Sequence, residues 1–281
     1  MPLQINLSGL PLNLIQALRV SHALMEADGL EVYVPKDESP KFTFLKKYFD
    51  FNFKSGELGA SLAGLIEIDH EGPQVRVGEL SRPLVFPQGI FNRCRQMWSE
   101  EREVRIFFSG LMTDQRLEAL SAWGERWYPE KKMDWGSLKR IKRSRLQKIL
   151  GRRPKAPTIT AVSDDISIWS SEKGRHFPVK AWDEEYFRML SKAQFVLCPN
   201  GDFIWTYRFF ESAMCGAMPI IEDECTHYDG FHFFRMGDDP KTFIWDQNKA
   251  FENFERCRTL LTIPKEDFTA ELDRQISLAK P

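Results

Sequence analysis

From residue 103 onward, short apolar runs alternate with stretches of helical spacing. EVRIFFSG (103–110) reads as a strand ending in a glycine turn, and TDQRLEALSAWGERW (113–127) as an amphipathic helix. SLKRIKRSRLQKIL (137–150) is a basic helix candidate, and APTITAVSDD (156–165) a second strand. The helix WDEEYFRMLSKA (182–193) leads into the strand QFVLCPNG (194–201), the helix TYRFFESAMCG (206–216) and the strand MPIIED (218–223). Gly216 and Pro219 supply the stop between the last two. ENFERCRTLLTI and KEDFTAELDRQISLAK read as closing helices. Alternation of this kind predicts a parallel sheet with helices on its faces.

The first hundred residues are less regular. PLNLIQALRVSHALMEADG predicts a helix over about 11–27, stopped by a glycine, and EVYVP a strand after it. An aromatic and basic stretch, FTFLKKYFDFNF, precedes LAGLIEIDH, which reads as an α/β strand delivering Asp69 and His70 to a cleft. The charged run FNRCRQMWSEERE reads as a connector, which puts the boundary near residue 100. The layout is then an N-terminal domain 1–100, a C-terminal domain 101–262, and a C-terminal helix 263–281 expected to pack back on the first domain.

Composition changes this picture little. A chain of 281 residues is long enough for two cores, and 39 basic against 40 acidic side chains leave no footprint of a nucleic-acid binder. Five scattered cysteines without a CxxC pair argue for free thiols and against a zinc site. The N-terminus lacks the basic and apolar regions of a signal peptide, and no stretch is apolar enough to span a bilayer, so a cytoplasmic protein is expected.

Candidate chemistry gathers around residues 199–211. Ligands of parallel α/β sheets bind beyond the carboxyl ends of the strands, where loops enter helix N-termini. The loop Pro199-Asn200-Gly201-Asp202 occupies that position, with Gly201 permitting close backbone approach. Thr206 is an N-cap candidate, and Tyr207-Arg208-Phe209-Phe210 contains no acid to satisfy the positive helix end, so Arg208 and that end suit a phosphate. Glu211, three residues on, suits the hydroxyls of a ribose; a surface ion pair between Arg208 and Glu211 is the competing reading.

The series Tyr186, Leu190, Ser191-Lys192, Phe195, Leu197-Cys198-Pro199, Gly201, Thr206, Arg208-Phe209, Glu211, Gly216, Pro219, Ile221 and Asp223 resembles the nucleotide-sugar-binding half of exostosin-type glycosyltransferases. Order and spacing are kept over some forty residues, and a weaker likeness reaches back to RIFFSG. The resemblance implies an α/β protein of GT-B architecture: two Rossmann-like domains with parallel sheets facing a central cleft, donor on the C-terminal domain and acceptor mainly on the N-terminal one. It further implies donor phosphates at Arg208, ribose at Glu211, and phosphate-side backbone at Gly201 and Thr206, with Tyr207 beside them. Asn200 stands where many members carry a basic or small residue, which leaves the donor open.

Other residues join as candidates. Ser109 and Gly110 close the strand RIFFSG where a sugar phosphate can approach the backbone. Ser163, Asp164 and Asp165 end the strand TITAVS and are candidates for the base or ribose. Glu222 and Asp223 are candidates for the donor sugar. The stretch 139–155 carries nine basic residues and no acid, reading as a solvated helix face, a contact with anionic membrane, or a source of Arg145 for the donor phosphates. His227, Asp229 and His232 lack the spacing of a metal set. An inverting transfer needs a general base and stabilisation of the leaving phosphate. Asp69 and His70, with Glu67 a further option, are the expected base, and Arg208 answers the second need without a divalent ion or other cofactor. The partners expected are a nucleotide-sugar donor and a saccharide acceptor, lipid-linked in one version. A binding protein that has lost the chemistry and a nucleotide-sugar epimerase are the rival readings.

Overall fold

A computed structural model describes residues 2–130, 158–163, 166–171 and 177–278. The chain divides into two compact units. The first comprises 1–96, 177–183 and 256–281, and the second 97–176 and 184–255. The crossing from one to the other falls at 96/97, and the C-terminal helix belongs to the first unit.

In the first unit, β1 (Leu3–Asn6), α1 (Ile15–Met25) and β2 (Leu30–Val34) form a parallel βαβ pair, with Ile5 opposite Val32. α1 is shorter than the predicted 11–27, because Pro11 to Leu14 form turns. Next come α2 (Ser39–Leu45), β3 (Lys54–Ser55) and β4 (Ala60–Ser61), completing an all-parallel sheet of order β3-β2-β1-β4. Buried Asn6 ties in the approach to β4 by donating from Nδ2 to the carbonyls of Glu57 and Gly59, at 3.2 and 2.8 Å.

LAGLIEIDH departs from expectation. It forms β5 (Ile66–Asp69), the first strand of an antiparallel meander with β6 (Gln74–Val77) and β7 (Leu80–Arg82). The alternation in β6, exposed-buried-exposed-buried, is that of a half-solvated antiparallel strand. The charged run read as a connector also differs, since it opens with the helix α3 (Gln88–Gln96), whose Ile90, Phe91 and Cys94 are buried at helical spacing.

The second unit opens with β8 (Val104–Leu111) and α4 (Asp114–Trp127), the latter capped by Thr113. β9 (Thr158–Ser163) and β10 (Ile166–Ser171) follow, then α5 (Glu184–Lys192), β11 (Ala193–Cys198), α6 (Tyr207–Met214), β12 (Met218–Ile221) and β13 (Phe234–Arg235). α7 (Gln247–Leu261) carries the chain back to the first unit, where α8 (Lys265–Leu278) ends it. The sheet has six strands in the order β13-β12-β11-β8-β10-β9, parallel except for β9.

Two apolar layers sandwich this sheet. On one face Ile106, Phe108, Phe195, Leu197 and Ile220 pack with Leu117, Leu120 and Trp123 of α4. α6 lies on the other face, where every residue from Arg208 to Met214 is buried. Phe209 stacks on Tyr228 at 3.8 Å between ring centroids and meets Phe231 edge-on at 5.3 Å. α6 stops in a Schellman motif: Gly216, at φ +74°, donates to Ala213 O, and Ala217 donates to Ser212 O. Arg102 Nη1 closes the same end by donating to Cys215 O and Ala193 O.

Candidate functional site

Chain order reverses in the sheet of the second unit. From β8 the chain adds strands on one side, then crosses to β11 and continues outward on the other. Such a switch point opens a crevice at the carboxyl edge. The ladder between β8 and β11 ends at Phe107–Val196. β8 nonetheless stays paired to β10 as far as Leu111–Ser171, and β11 to β12 as far as Cys198–Ile221. The two central strands therefore part at their carboxyl ends, leaving backbone carbonyls of β8 without ladder partners.

Two arginines take those carbonyls, one from each face of the sheet. Arg208 reaches from the first turn of α6 and donates from Nε to Ser109 O at 2.6 Å, its guanidinium lying 4.4 Å from the Phe108 ring centroid. Arg116, in the first turn of α4, donates from Nη1 to Leu111 O at 3.0 Å and from Nε to Asn200 O at 3.2 Å. Each guanidinium lies over a glycine. A Cβ on Gly110 would come within 2.2 Å of Arg208 Nη2, and one on Gly201 within 2.4 Å of Arg116 Nη2. A side chain at either position would have to displace the guanidinium above it.

Arg208 is only 6% exposed, forms no ion pair among the described residues, and its Nη1 has no hydrogen-bond partner. Burial lowers the pKa of Arg116 to about 10; the Arg208 charge pushes it the same way, and Asp202 opposes. The cations are therefore close enough to repel, and Arg116 remains protonated at neutral pH.

The surrounding polar groups hold the loop. Asn200 donates its backbone N–H to Glu222 Oε2 at 2.9 Å and its Nδ2 to Asp223 Oδ2 at 2.7 Å. With Arg116 on its carbonyl, Asn200 ties β11, β12 and α4 together beside Gly201. Thr206 caps α6, its Oγ1 accepting from Arg208 N, while its own N–H donates to Tyr228 Oη at 2.9 Å. Burial raises the pKa of Tyr228, keeping a neutral hydroxyl there, and pushes the Cys198 thiol up to about 12.

Among the sequence candidates, Ser109, Gly110, Asn200, Gly201, Thr206, Tyr207 and Arg208 all lie around this strand edge and the start of α6. Glu211 is 2% exposed and its Oε2 accepts from Tyr186 Oη at 2.7 Å, so burial excludes the surface ion pair with Arg208. Glu222 and Asp223 are engaged by Asn200. Ser163 ends β9, which runs antiparallel and pairs with Ile166 at the amino end of β10, so it sits at the opposite edge of the sheet. Arg145, Asp164, Asp165 and the stretch 139–155 lie outside the described residues.

Asp69 and His70 belong to the first unit. Asp69 is exposed, and its Oδ1 closes a local turn by accepting from Glu71 N at 2.8 Å. Glu67 lies opposite Arg76 on the same meander. Their strand is antiparallel, so the parallel-strand edge that singled them out is absent. His232 pairs with Glu252 at 2.6 Å, and no cluster of three or more His, Cys, Asp or Glu suited to a metal occurs among the described residues.

Residues 141–262 match the family model of the RXYLT1 C-terminal domain, from an exostosin-like glycosyltransferase family. The match takes in Asn200, Gly201, Thr206, Arg208 and Glu211, and indicates a glycosyltransferase-like function. It spans less than half of the 281-residue chain, and β8, α4 and Arg116 precede it. No curated protein matches the chain. Among the described residues, no helix is long and apolar enough to cross a membrane.

Proposed function

We propose that the protein is a glycosyltransferase that moves a sugar from a nucleotide-activated donor to a saccharide acceptor. The single observation that carries this reading is Arg208: a residue only 6% exposed, with no counter-ion and an unpartnered Nη1 among the described residues, at the carboxyl edge of a parallel sheet's switch point. A buried cation held by a neutral carbonyl is suited to an anionic ligand that supplies the missing charge. The family match over the same segment supports a nucleotide sugar as that ligand.

In this reading the two units are the two domains of a GT-B enzyme, the second holding donor and the first acceptor. Arg208 and the N-terminus of α6 stabilise the negative charge that grows on the leaving phosphate, as preorganised donors do in acyl and phosphoryl transfer. That role requires no divalent ion. Glu211, oriented by Tyr186, serves the ribose side, and Gly110 and Gly201 let the phosphates close on the backbone. In an inverting transfer a general base accepts the acceptor hydroxyl proton. The product belongs to polysaccharide synthesis.

The test is transfer from a panel of nucleotide sugars to saccharide acceptors by the wild-type chain and by Arg208→Ala. Transfer by the wild type, abolished in R208A with the fold retained, is the expected result. Full activity in R208A would refute the donor-site assignment, and turnover without any acceptor would favour an epimerase.

A further inference from the structure

We propose that Arg116 is a second anion-binding side chain, which grips, together with Arg208, a phosphoryl group seated between the parted ends of β8 and β11. This rests on the reading of Arg208 as phosphate anchor but concerns a residue outside the segment that matches the RXYLT1 family. The carbonyls the two arginines occupy, Ser109 O and Leu111 O, are two residues apart on one strand. At a rise of about 3.3 Å per residue they are separated by about 7 Å and face the same side. Guanidiniums anchored that far apart can flank one phosphoryl group and donate to different oxygens of it.

Three further observations agree. Neither arginine forms an ion pair among the described residues, since their partners are neutral backbone carbonyls. Asp202 is near enough to favour the charged form of Arg116, but it is exposed. Arg208 Nη1 is buried and unpartnered among the described residues, so it is a donor that no described protein atom uses. Arg116 is also the third residue after the cap Thr113. A cation there opposes the positive end of α4, and an anion between the helix and the guanidinium reverses the sign of that interaction.

The experiment is isothermal titration of the full chain with inorganic pyrophosphate and, separately, orthophosphate at low salt. The proteins are wild type, Arg116→Gln, Arg116→Lys and Arg208→Gln, each with its unfolding midpoint measured without ligand. Wild type is expected to bind pyrophosphate, and R116Q to bind at least about tenfold more weakly, the loss that follows from removing a charge-assisted hydrogen bond. R116K keeps part of the affinity, because an ammonium restores the charge without the fork. If R116Q binds as wild type does while R208Q does not, the assignment of Arg116 is overturned and that of Arg208 stands. Equal binding by all four, or none by wild type, overturns both. Should R116Q fold poorly, the guanidinium Nε–H resonances of the wild-type chain carry the same test: those of Arg116 and Arg208 shift together on addition of pyrophosphate, and an unmoved Arg116 resonance refutes the proposal.

Discussion

Replacing Arg208 by methionine separates a ligand-holding arginine from a structural one. Methionine keeps much of the apolar stem and removes the guanidinium. The loss includes the bond from Nε to Ser109 O, at 2.6 Å, worth about 1.5–3 kcal/mol as a charge-assisted hydrogen bond. It also includes the contact with Phe108, at 4.4 Å, worth about 2 kcal/mol when desolvated. Against these stands the penalty of enclosing a cation that is 6% exposed and has no counter-ion among the described residues, an effective cost of several kcal/mol even after relaxation. The Arg208–Arg116 repulsion is relieved as well. The opposing terms nearly cancel, so ligand-free R208M is expected within about 1 kcal/mol of wild type in urea unfolding followed by tryptophan fluorescence. Nucleotide binding, measured by titration of the same samples, should be lost. A destabilisation above about 3 kcal/mol, the size expected when a buried structural pair is broken, would refute the reasoning. So would retained nucleotide affinity.

Gly110→Ala places a Cβ 2.2 Å from Arg208 Nη2 and should weaken nucleotide binding at least about tenfold. Unchanged nucleotide affinity in G110A would contradict the steric cause. In the first unit, Glu271 accepts from Glu79 N at 2.7 Å, from Arg274 Nη2 at 2.8 Å and from Gln275 Nε2 at 2.8 Å. The Arg274 hydrogen bond is the largest cause that lowers its pKa, from 4.5 to about 2. A lowered carboxylate pKa stabilises the fold above the unfolded value, and that stability is lost as pH falls from about 4.5 through about 2. The gap in melting temperature between wild type and Glu271→Gln should therefore narrow across that window, and a gap independent of pH would contradict it. Transfer should persist in excess chelator without added metal; loss restored by Mg²⁺ or Mn²⁺ would overturn the proposed metal independence.

The alternating βα pattern of the second unit was legible because its strands and helices have different hydrophobic periods and sharp stops, as at Thr206 and Gly216. What the pattern could not show was strand direction. IEIDH and TITAVS are short apolar runs, and such runs read alike in parallel and antiparallel sheets, so the pattern points Asp69 and Ser163 to an edge they do not occupy. Burial of α6 was hidden for a related reason. Arg208 and Glu211 interrupt the apolar stripe and read as its solvent face, yet both are enclosed, with Tyr186 satisfying the carboxylate. Arg116 sits inside an ordinary amphipathic helix, whose spacing marks it only as a polar position. Its signal was present in the sequence, as a basic residue three positions after a Thr cap where the helix end disfavours a cation.

The most direct test of a donor site at the parted strands is the melting temperature of wild type and R208A with UDP, GDP, CMP or dTDP, since a ligand that binds only the folded chain raises its stability. At least one nucleotide is expected to raise the wild-type midpoint while leaving R208A unmoved. Equal shifts in both proteins, or none in wild type with any of the four, would contradict that placement of the donor.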